Sequence, residues 1–325
     1  MKTNPLESLL QIPSPLHQYS IPDNLGREYV VDVKREDLIH PTLSGNKYRK
    51  LHGHLDHLRQ SNLGGVVTMG GPWSNHLHAC SWLCHQLKIP CVLLVRGHAP
   101  EQYSAMLTDA MRWGAQIEFV PRQLYRELRL AYEAGDTSSL LQSWPDYYFI
   151  PEGGRHLESG AGFKALAEEL QHDYDAVYMA VGTATSIAGL MRHWSNCETE
   201  FHGVLAVDAI VSQSETIELL AGDVEGQYKL RDEFIFGGYA RTTEELNDFI
   251  QQTYTDLALP LEPVYTAKAF YGLVSDIKAN RHPVDSRLLF IHSGGLQGLR
   301  GFDDDTLLSI RGYYDTLENL PFENH

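Results

Sequence analysis

The clearest structural signal in the sequence is AVYMAVGTATSIAG, residues 176–189. Its first six residues are an uncharged, largely apolar run, which is typical of a strand buried on both faces of a parallel sheet. Gly182 ends the run, and the small hydroxyl residues behind it are typical of the first turn of a helix. The stretch therefore predicts a strand that passes through a tight turn into a helix, the unit of an α/β fold.

Four further apolar runs have the same form, and helix-like segments lie between them. They are residues 65–69, 91–95, 203–207 and 287–292. Alternation of this kind predicts a mostly parallel sheet whose strands are joined by crossover helices. In such sheets the carboxyl ends of the strands and the helix N-termini share one edge, where ligands usually bind. We therefore expect the functional residues to follow directly after the carboxyl ends of the strands.

Composition and charge narrow the possible partners. Apolar residues make up 43% and charged residues 21% of 325 residues, a globular composition in a chain long enough for two domains. The net charge of −16 and the lack of a basic run argue against a nucleic-acid partner. The sequence has neither a signal peptide nor about 18 consecutive uncharged apolar residues, so we predict a cytoplasmic protein that does not bind membranes.

The cysteines predict neither a disulfide framework nor a redox pair. Cys80, Cys84, Cys91 and Cys197 are few for the length of the chain and lack C-x-x-C spacing. Cys80 and Cys84 lie one helical turn apart, with His76 a turn before them, so a metal site competes with plain helix packing. Because free cysteine is among the most buried residue types, we predict packing and no metal site.

The segment SGNKYRKL, residues 44–51, contains the first candidate functional residue. Its Ser-Gly-Asn start predicts a turn and a helix cap, which places Lys47 in the first turn of a helix. The positive end of the helix dipole disfavours an ammonium there and lowers the lysine pKa, and a neutral amine can attack an aldehyde. The alternative is that Lys47, Arg49 and Lys50 form a solvated basic face.

A second segment, GGPWSNH at residues 70–76, follows a strand. Its backbone N–H groups and small polar side chains can bind a carboxylate, and Asn75 can donate to a phenolate oxygen. The alternative is a capped turn with a purely structural role.

The turn from Gly182 to Gly189 is the third candidate. Hydroxyl side chains and free N–H groups at a helix N-terminus are typical of a phosphate cup. The turn matches neither the G-x-G-x-x-G nor the G-K-[ST] pattern. Asp208, behind the next strand, nevertheless keeps a nicotinamide cofactor open as an alternative.

Further candidates are two tyrosines, Tyr239 and Tyr265, and two hydroxyl residues, Thr266 and Ser293. A tyrosine can donate a proton or stack on a ring, and a hydroxyl behind a strand can meet a pyridine nitrogen. Taken singly, each of them is equally well explained by packing or a turn.

Taken together and in order, these segments resemble the D-cysteine desulfhydrase and 1-aminocyclopropane-1-carboxylate (ACC) deaminase family of tryptophan-synthase-β-like pyridoxal-phosphate enzymes. The resemblance extends from Val33 to Gly295. It implies fold type II, with two open, twisted, mostly parallel sheets flanked by helices. The cofactor then lies between a large domain, residues 1–48 plus 163–325, and an inserted small domain, residues 49–162. The resemblance also implies a homodimer.

The resemblance assigns roles to individual residues. Lys47, in G-N-K-x-R-K-L, matches the lysine that forms the Schiff base with pyridoxal phosphate. Ser74 and Asn75, in S-N-H, match the residues that hold the substrate carboxylate and the phenolic oxygen of the cofactor. Tyr239 and Tyr265 match active-site tyrosines. The other expected cofactor contacts are Gly182, Thr183, Ala184, Thr185, Ser186, Thr266 and Ser293.

One position favours a choice within the family. The resemblance implies that ACC deaminases have Glu at the position of Thr266. A carboxylate there keeps the pyridine nitrogen of the cofactor protonated. A hydroxyl does so less well, which favours β-elimination of the desulfhydrase type over opening of a cyclopropane ring. Three departures from the family pattern leave the substrate open: Trp73 for Gln, Ala267 for Gly, and residues 153–156, GGRH, for G-G-S-N.

The resulting hypothesis is an α,β-elimination from a small amino acid. Ser74 holds the carboxylate, Lys47 removes the α-proton, and the products are a 2-keto acid and ammonia, with sulfide when the substrate is cysteine. One alternative is ACC deamination, with Tyr239 and Tyr265 as acid or nucleophile. The others are a protein that binds pyridoxal phosphate without turnover and a nicotinamide oxidoreductase.

Overall fold

The computed structural model describes residues 6–61, 64–156, 159–170, 172–222, 224, 227–302 and 307–318. Strands and helices alternate along most of this length. The strands are β1 (Leu16–Pro22), β2 (Glu28–Lys34), β3 (Gly65–Gly70), β4 (Cys91–Arg96), β5 (Gln116–Val120), β6 (Tyr147–Ile150), β7 (Ala176–Val181), β8 (Glu200–Leu205), β9 (Tyr228–Arg231) and β10 (Leu288–Ile291). The helices are α1 (Asn46–Ser61), α2 (Asn75–Leu87), α3 (Ala105–Arg112), α4 (Arg122–Glu133), α5 (Ser138–Leu141), α6 (Gly160–Glu169), α7 (Thr185–Arg192), α8 (Ile210–Ala221), α9 (Glu244–Leu257), α10 (Thr266–Lys278) and α11 (Leu308–Glu318).

The strands form two separate sheets. The larger has the order β1-β2-β10-β7-β8-β9, in which β1 is antiparallel to β2 and the other neighbours are parallel. The smaller, with the order β5-β4-β3-β6, is parallel throughout. The prediction of an α/β fold with two mostly parallel sheets is thus confirmed. The domain limits at residues 48/49 and 162/163 stay a prediction.

The central strands are buried on both faces because each sheet lies between layers of apolar side chains. In β7, Tyr178 belongs to a core cluster with α9 and α10, whereas Val177 and Met179 belong to the cluster on the opposite face with α7. All six residues of β7 and of β3 are buried. This two-sided burial explains why the sequence of each strand is a continuous apolar run rather than an alternating one.

The residues that follow the carboxyl end of β10 lie against the start of α1. Behind β10, the carbonyl oxygen of Ser293 accepts a hydrogen bond from the Asn46 N–H at 3.3 Å. Gly45 has a φ of +61°, and a methyl group there would lie 1.9 Å from the Ser293 oxygen. Only glycine allows the backbone both this conformation and this approach. The contact places the start of α1 against the end of β10.

Arg49 joins α1 to the larger sheet through a buried ion network. Its guanidinium donates to both Glu36 oxygens at 2.8 and 2.9 Å and to Glu169 at 2.9 Å. Lys34 also pairs with Glu169, at 2.7 Å. Arg49 is 1% exposed and Lys50 is 4% exposed. The alternative of a solvated basic face is therefore wrong, because these side chains point into the protein.

Cys80, Cys84 and Cys91 lie in the core cluster beside the smaller sheet. Their sulfur atoms and that of Cys91 lie within 4.8 Å of one another and are buried among aliphatic side chains. His76 points elsewhere, since its Nε2 lies 2.8 Å from the Thr68 hydroxyl. Hydrogen bonds from Cys84 and Cys91 lower the pKa of the Cys80 thiol.

None of the helices in the described ranges combines the length and apolar composition required to cross a bilayer.

Candidate active site

Lys47 lies in the first turn of α1 and is partly buried. Its Nζ donates to Oδ1 of Asn46 at 2.6 Å. Burial lowers the pKa of Lys47 to about 8, although the carboxylate of Glu262 acts in the opposite direction. The amine is therefore far closer to its neutral, nucleophilic form at physiological pH than an ordinary lysine.

The lowered pKa of Lys47 leads to a testable prediction for the ligand-free protein. At pH 8 about half of the Lys47 amines should be neutral, against roughly 1 in 300 for a lysine with an ordinary pKa. Competitive acylation followed by peptide mass spectrometry should show labelling of Lys47 rising through pH 8, with exposed Lys164 as the reference. A labelling profile equal to that of Lys164 would contradict the prediction.

The turn behind β7 lies directly against Lys47. Asn46, which accepts from Lys47, donates its own amide to the Ser186 hydroxyl at 3.0 Å. Ala184 has a φ of +56° and precedes α7, so the N–H groups of the turn remain free of helix hydrogen bonds. The predicted reactive amine and the predicted phosphate cup are thus one hydrogen-bonded unit.

Lys50 is a functional candidate that the sequence analysis did not single out. Its Nζ donates to the Thr183 hydroxyl at 3.2 Å, and Thr183 also lies 3.1 Å from the Thr185 hydroxyl. Burial and the charge of Lys47 hold the pKa of Lys50 well below its usual value. Its position three residues after Lys47, on the same helix face, was the available signal.

Ser74 and Asn75 lie at the N-terminus of α2, behind β3. The Ser74 hydroxyl accepts from the Leu77 N–H at 3.2 Å, which leaves its proton available to a ligand. The Asn75 Oδ1 atom is buried and has no partner among the described residues. Buried amides are normally hydrogen-bonded, so the Oδ1 atom of Asn75 is available to accept a hydrogen bond from a ligand.

Tyr265 lies between the turn that begins at Gly182 and Tyr239. A methyl group on Gly182 would lie 3.2 Å from the Tyr265 ring. The Tyr265 hydroxyl donates to the Tyr239 hydroxyl at 3.2 Å, and the rings meet edge to face. Burial raises the pKa of Tyr265 well above its usual value, so its phenol keeps its proton.

Thr266 lies at the start of α10, and its hydroxyl is engaged within that turn. It accepts from the Glu262 N–H at 2.9 Å. In return, the Glu262 carboxylate accepts from the backbone N–H groups of Val264, Tyr265 and Thr266 at 2.7 to 2.8 Å. Glu262 therefore caps α10 and orients Tyr265, a role that the sequence analysis did not predict.

The three departures from the family pattern occupy different environments. Trp73 is exposed at the entrance to α2, with its ring against Gly301. Ala267 is fully buried in the core of the larger sheet. Arg155 pairs with Glu133 at 3.5 Å, and the His156 ring lies 5.5 Å from that of His54.

The assembled residues fit pyridoxal phosphate. No carboxylate of the described residues pairs with Lys50, whose Nζ contacts the turn before α7. A buried ammonium without a counter-charge is costly. The space between Lys50 and the N-terminus of α7 therefore favours an anion. Lys47 presents an amine of lowered pKa beside that space. The phosphate would be held by Lys50 and the turn from Gly182 to Ser186, and the aldehyde by Lys47.

The comparisons with known proteins agree with this chemistry. A family model described as pyridoxal-phosphate-dependent enzyme matches residues 7–294. The chain belongs to this family. The match favours pyridoxal phosphate over the nicotinamide alternative.

Individual relatives of this pyridoxal-phosphate enzyme carry the two names that the sequence resemblance implied. D-cysteine desulfhydrase of Serratia proteamaculans is 29% identical over 88% of this chain and 92% of its own length. The bifunctional D-cysteine desulfhydrase/ACC deaminase of Arabidopsis thaliana is 26% identical over 97% and 84%. A crystal structure of an ACC deaminase homologue superimposes with a TM-score of 0.76 at 27% identity, covering 93% of this chain and 95% of that one. The resemblance is confirmed.

Proposed function

We propose that this pyridoxal-phosphate enzyme eliminates ammonia from a small amino acid in the manner of a D-cysteine desulfhydrase. With cysteine and water, the products are pyruvate, ammonia and sulfide. The observation that carries the proposal is the chain of contacts Lys47–Asn46–Ser186, which joins a reactive amine to an anion-binding turn. When bound, pyridoxal phosphate withdraws electrons from the α-carbon of an amino acid.

Residues of the chain bind the substrate carboxylate, remove the α-proton and protonate the leaving group. Ser74 and the free N–H groups at the start of α2 bind the substrate carboxylate. Lys47, whose lowered pKa of about 8 makes its neutral amine more accessible than that of an ordinary lysine, removes the α-proton. Tyr265 and Tyr239 are the proton donors for the leaving group, because their hydroxyls share a hydrogen bond and Tyr265 stays protonated.

Position 266 supports elimination over ring opening. Thr266 offers a hydroxyl, not a carboxylate, and that hydroxyl already accepts from Glu262. Both oxygens of the nearby Glu262 carboxylate accept backbone N–H groups. These contacts support a cofactor environment with weak electron withdrawal, which is sufficient when a sulfur leaving group departs from the β-carbon and takes a proton from the tyrosine pair.

A substrate panel tests the proposal. Purified protein loaded with pyridoxal phosphate should release pyruvate, ammonia and sulfide in equal amounts from a cysteine enantiomer. Release of 2-oxobutanoate from ACC, without sulfide from either cysteine, would favour the deaminase alternative. A bound cofactor whose visible spectrum stays unchanged with every D- and L-amino acid would favour a binding protein without turnover.

A cytoplasmic homodimer completes the proposal. The four free cysteines, three of them buried and Cys197 exposed, support a reducing compartment. The family resemblance supports the dimer, which sedimentation of the purified protein at several concentrations would test.

A further inference from the structure

Lys268 is a buried cation that the proposed chemistry does not use. It lies in α10, one turn after Tyr265, and its residue is 0% exposed. Its Nζ donates to three backbone carbonyls, those of Ile235 at 2.8 Å, Gly238 at 2.9 Å and Ala206 at 3.4 Å. An ammonium has three N–H donors and no acceptor, so these contacts match its full donor capacity.

Two of the three carbonyls that Lys268 binds, those of Ile235 and Gly238, belong to an unusual segment between β9 and α9. Phe236 and Ala240 have φ angles of +45° and +53°, and Gly237 and Gly238 lie at +82° and +119°. Positive φ at a non-glycine residue is unfavourable and persists only when the surrounding structure imposes it. Lys268 binds the carbonyls of Ile235 and Gly238, which flank Phe236 in the sequence. It therefore helps to impose the positive φ of Phe236.

This strained segment carries Tyr239 into the active site. Gly238, whose carbonyl Lys268 binds, directly precedes Tyr239, and the Tyr239 hydroxyl meets that of Tyr265. Tyr239 itself is 49% exposed, so packing around its ring does little to fix it. The backbone before Tyr239 is held from one side by Lys268 and from the other by Phe236, whose ring packs edge to face on Tyr271.

We infer that Lys268 is a positioning residue that holds Tyr239 against Tyr265 through the backbone of residues 235–238. The inference rests on the proposed function for its catalytic consequence, but its structural part does not. Burial lowers the pKa of Lys268 to about 8, and the Glu262 carboxylate opposes the shift, so the side chain is still mostly an ammonium at neutral pH. Glu262, just before α10, thus orients Tyr265. Lys268, in the first turn of α10, orients Tyr239.

The experiment compares Lys268→Met with Lys278→Met, which replaces an exposed lysine at the end of the same helix. Hydrogen exchange of the peptide that covers residues 235–241 should quicken at least tenfold in Lys268→Met and stay unchanged in Lys278→Met. In steady-state assays kcat should fall roughly tenfold to a hundredfold with KM little changed, because proton donation is impaired while substrate binding is not. Lys268→Arg should recover part of both losses, and Lys268→Gln replaces the Met variant if the latter does not fold.

A double variant separates positioning from a general structural effect. If Lys268 acts through Tyr239, adding Lys268→Met to Tyr239→Phe should lower kcat by less than twofold beyond the single tyrosine change. Multiplicative losses in the double variant, or unchanged exchange of residues 235–241, would overturn the inference. Exchange and folding need no substrate, so an enzyme without turnover on the panel above would refute the proposed function while leaving this result readable.

Discussion

Lys47→Ala should abolish covalent attachment of pyridoxal phosphate and lower turnover by at least about 10³-fold. The variant removes the amine that meets the aldehyde and, in the proposed reaction, the base that takes the α-proton. Removal of a partly buried group at the end of a hydrogen-bond chain should leave the fold intact. Borohydride reduction followed by peptide mass spectrometry should find a pyridoxyl adduct on Lys47 of the unchanged protein and none on the variant.

The matched control is Lys164→Ala. This variant removes an exposed lysine whose contact with the Glu168 carboxylate is long, at 3.9 Å. This control should keep both the adduct at Lys47 and full activity. An adduct that persists on another lysine of Lys47→Ala together with normal turnover would contradict the assignment. Lys50 is the residue to inspect in that case, because it lies on the same face of α1 and contacts the same turn.

Arg49→Ala should lower the free energy of unfolding of the cofactor-free protein by about 3–5 kcal/mol. The variant leaves the carboxylates of Glu36 and Glu169 without the cation that donates to both. The cost arises mainly from two buried, incompletely paired charges rather than from the bonds that are lost. Urea unfolding followed by circular dichroism measures the change, provided that the transition keeps its slope.

Arg112→Ala serves as the control for Arg49→Ala. Arg112 also pairs with a carboxylate, Asp109 at 3.5 Å, but its side chain is 75% exposed. An exposed pair of this kind contributes at most about 1 kcal/mol. A loss of under about 1 kcal/mol in Arg49→Ala would mean that Lys34 and Ser14, which already contact these carboxylates, satisfy them on their own.

Local sequence patterns were sufficient for five of the ten strands among the described residues, β3, β4, β7, β8 and β10, and for their alternation with helices. The run at 176–181 predicts a buried strand because both faces of β7 are covered, and Gly182 marks its end. Weaker elements such as β9 (Tyr228–Arg231) gave no comparable signal, because an edge strand is short and only partly buried. The hydroxyl-rich turn before α7 was recognisable because helix N-termini have a characteristic composition.

The interpretation of charged residues was the part that local patterns could not resolve. Lys47, Arg49 and Lys50 are neighbours in the sequence, yet their partners are Asn46, two glutamates and Thr183. Lys268 finds its acceptors 30, 33 and 62 residues away. A charge is stable in a protein interior only with such partners, and the sequence around it does not reveal them.

The amino-acid sequence by itself determined the α/β fold, the cofactor family and the positions at which chemistry was to be sought. The fold follows from periodicity and turn composition, which act over a few residues and can therefore be recognised along the chain. The cofactor family was implied by the resemblance of the ordered motifs to a known family. Only the tertiary structure decided that Lys50 donates to Thr183 in the turn before α7, that Glu262 accepts the Tyr265 N–H, that Lys268 binds the carbonyl of Gly238 before Tyr239, and that Arg49 is internal. Burial and hydrogen bonding depend on atoms that the fold brings together from distant parts of the chain.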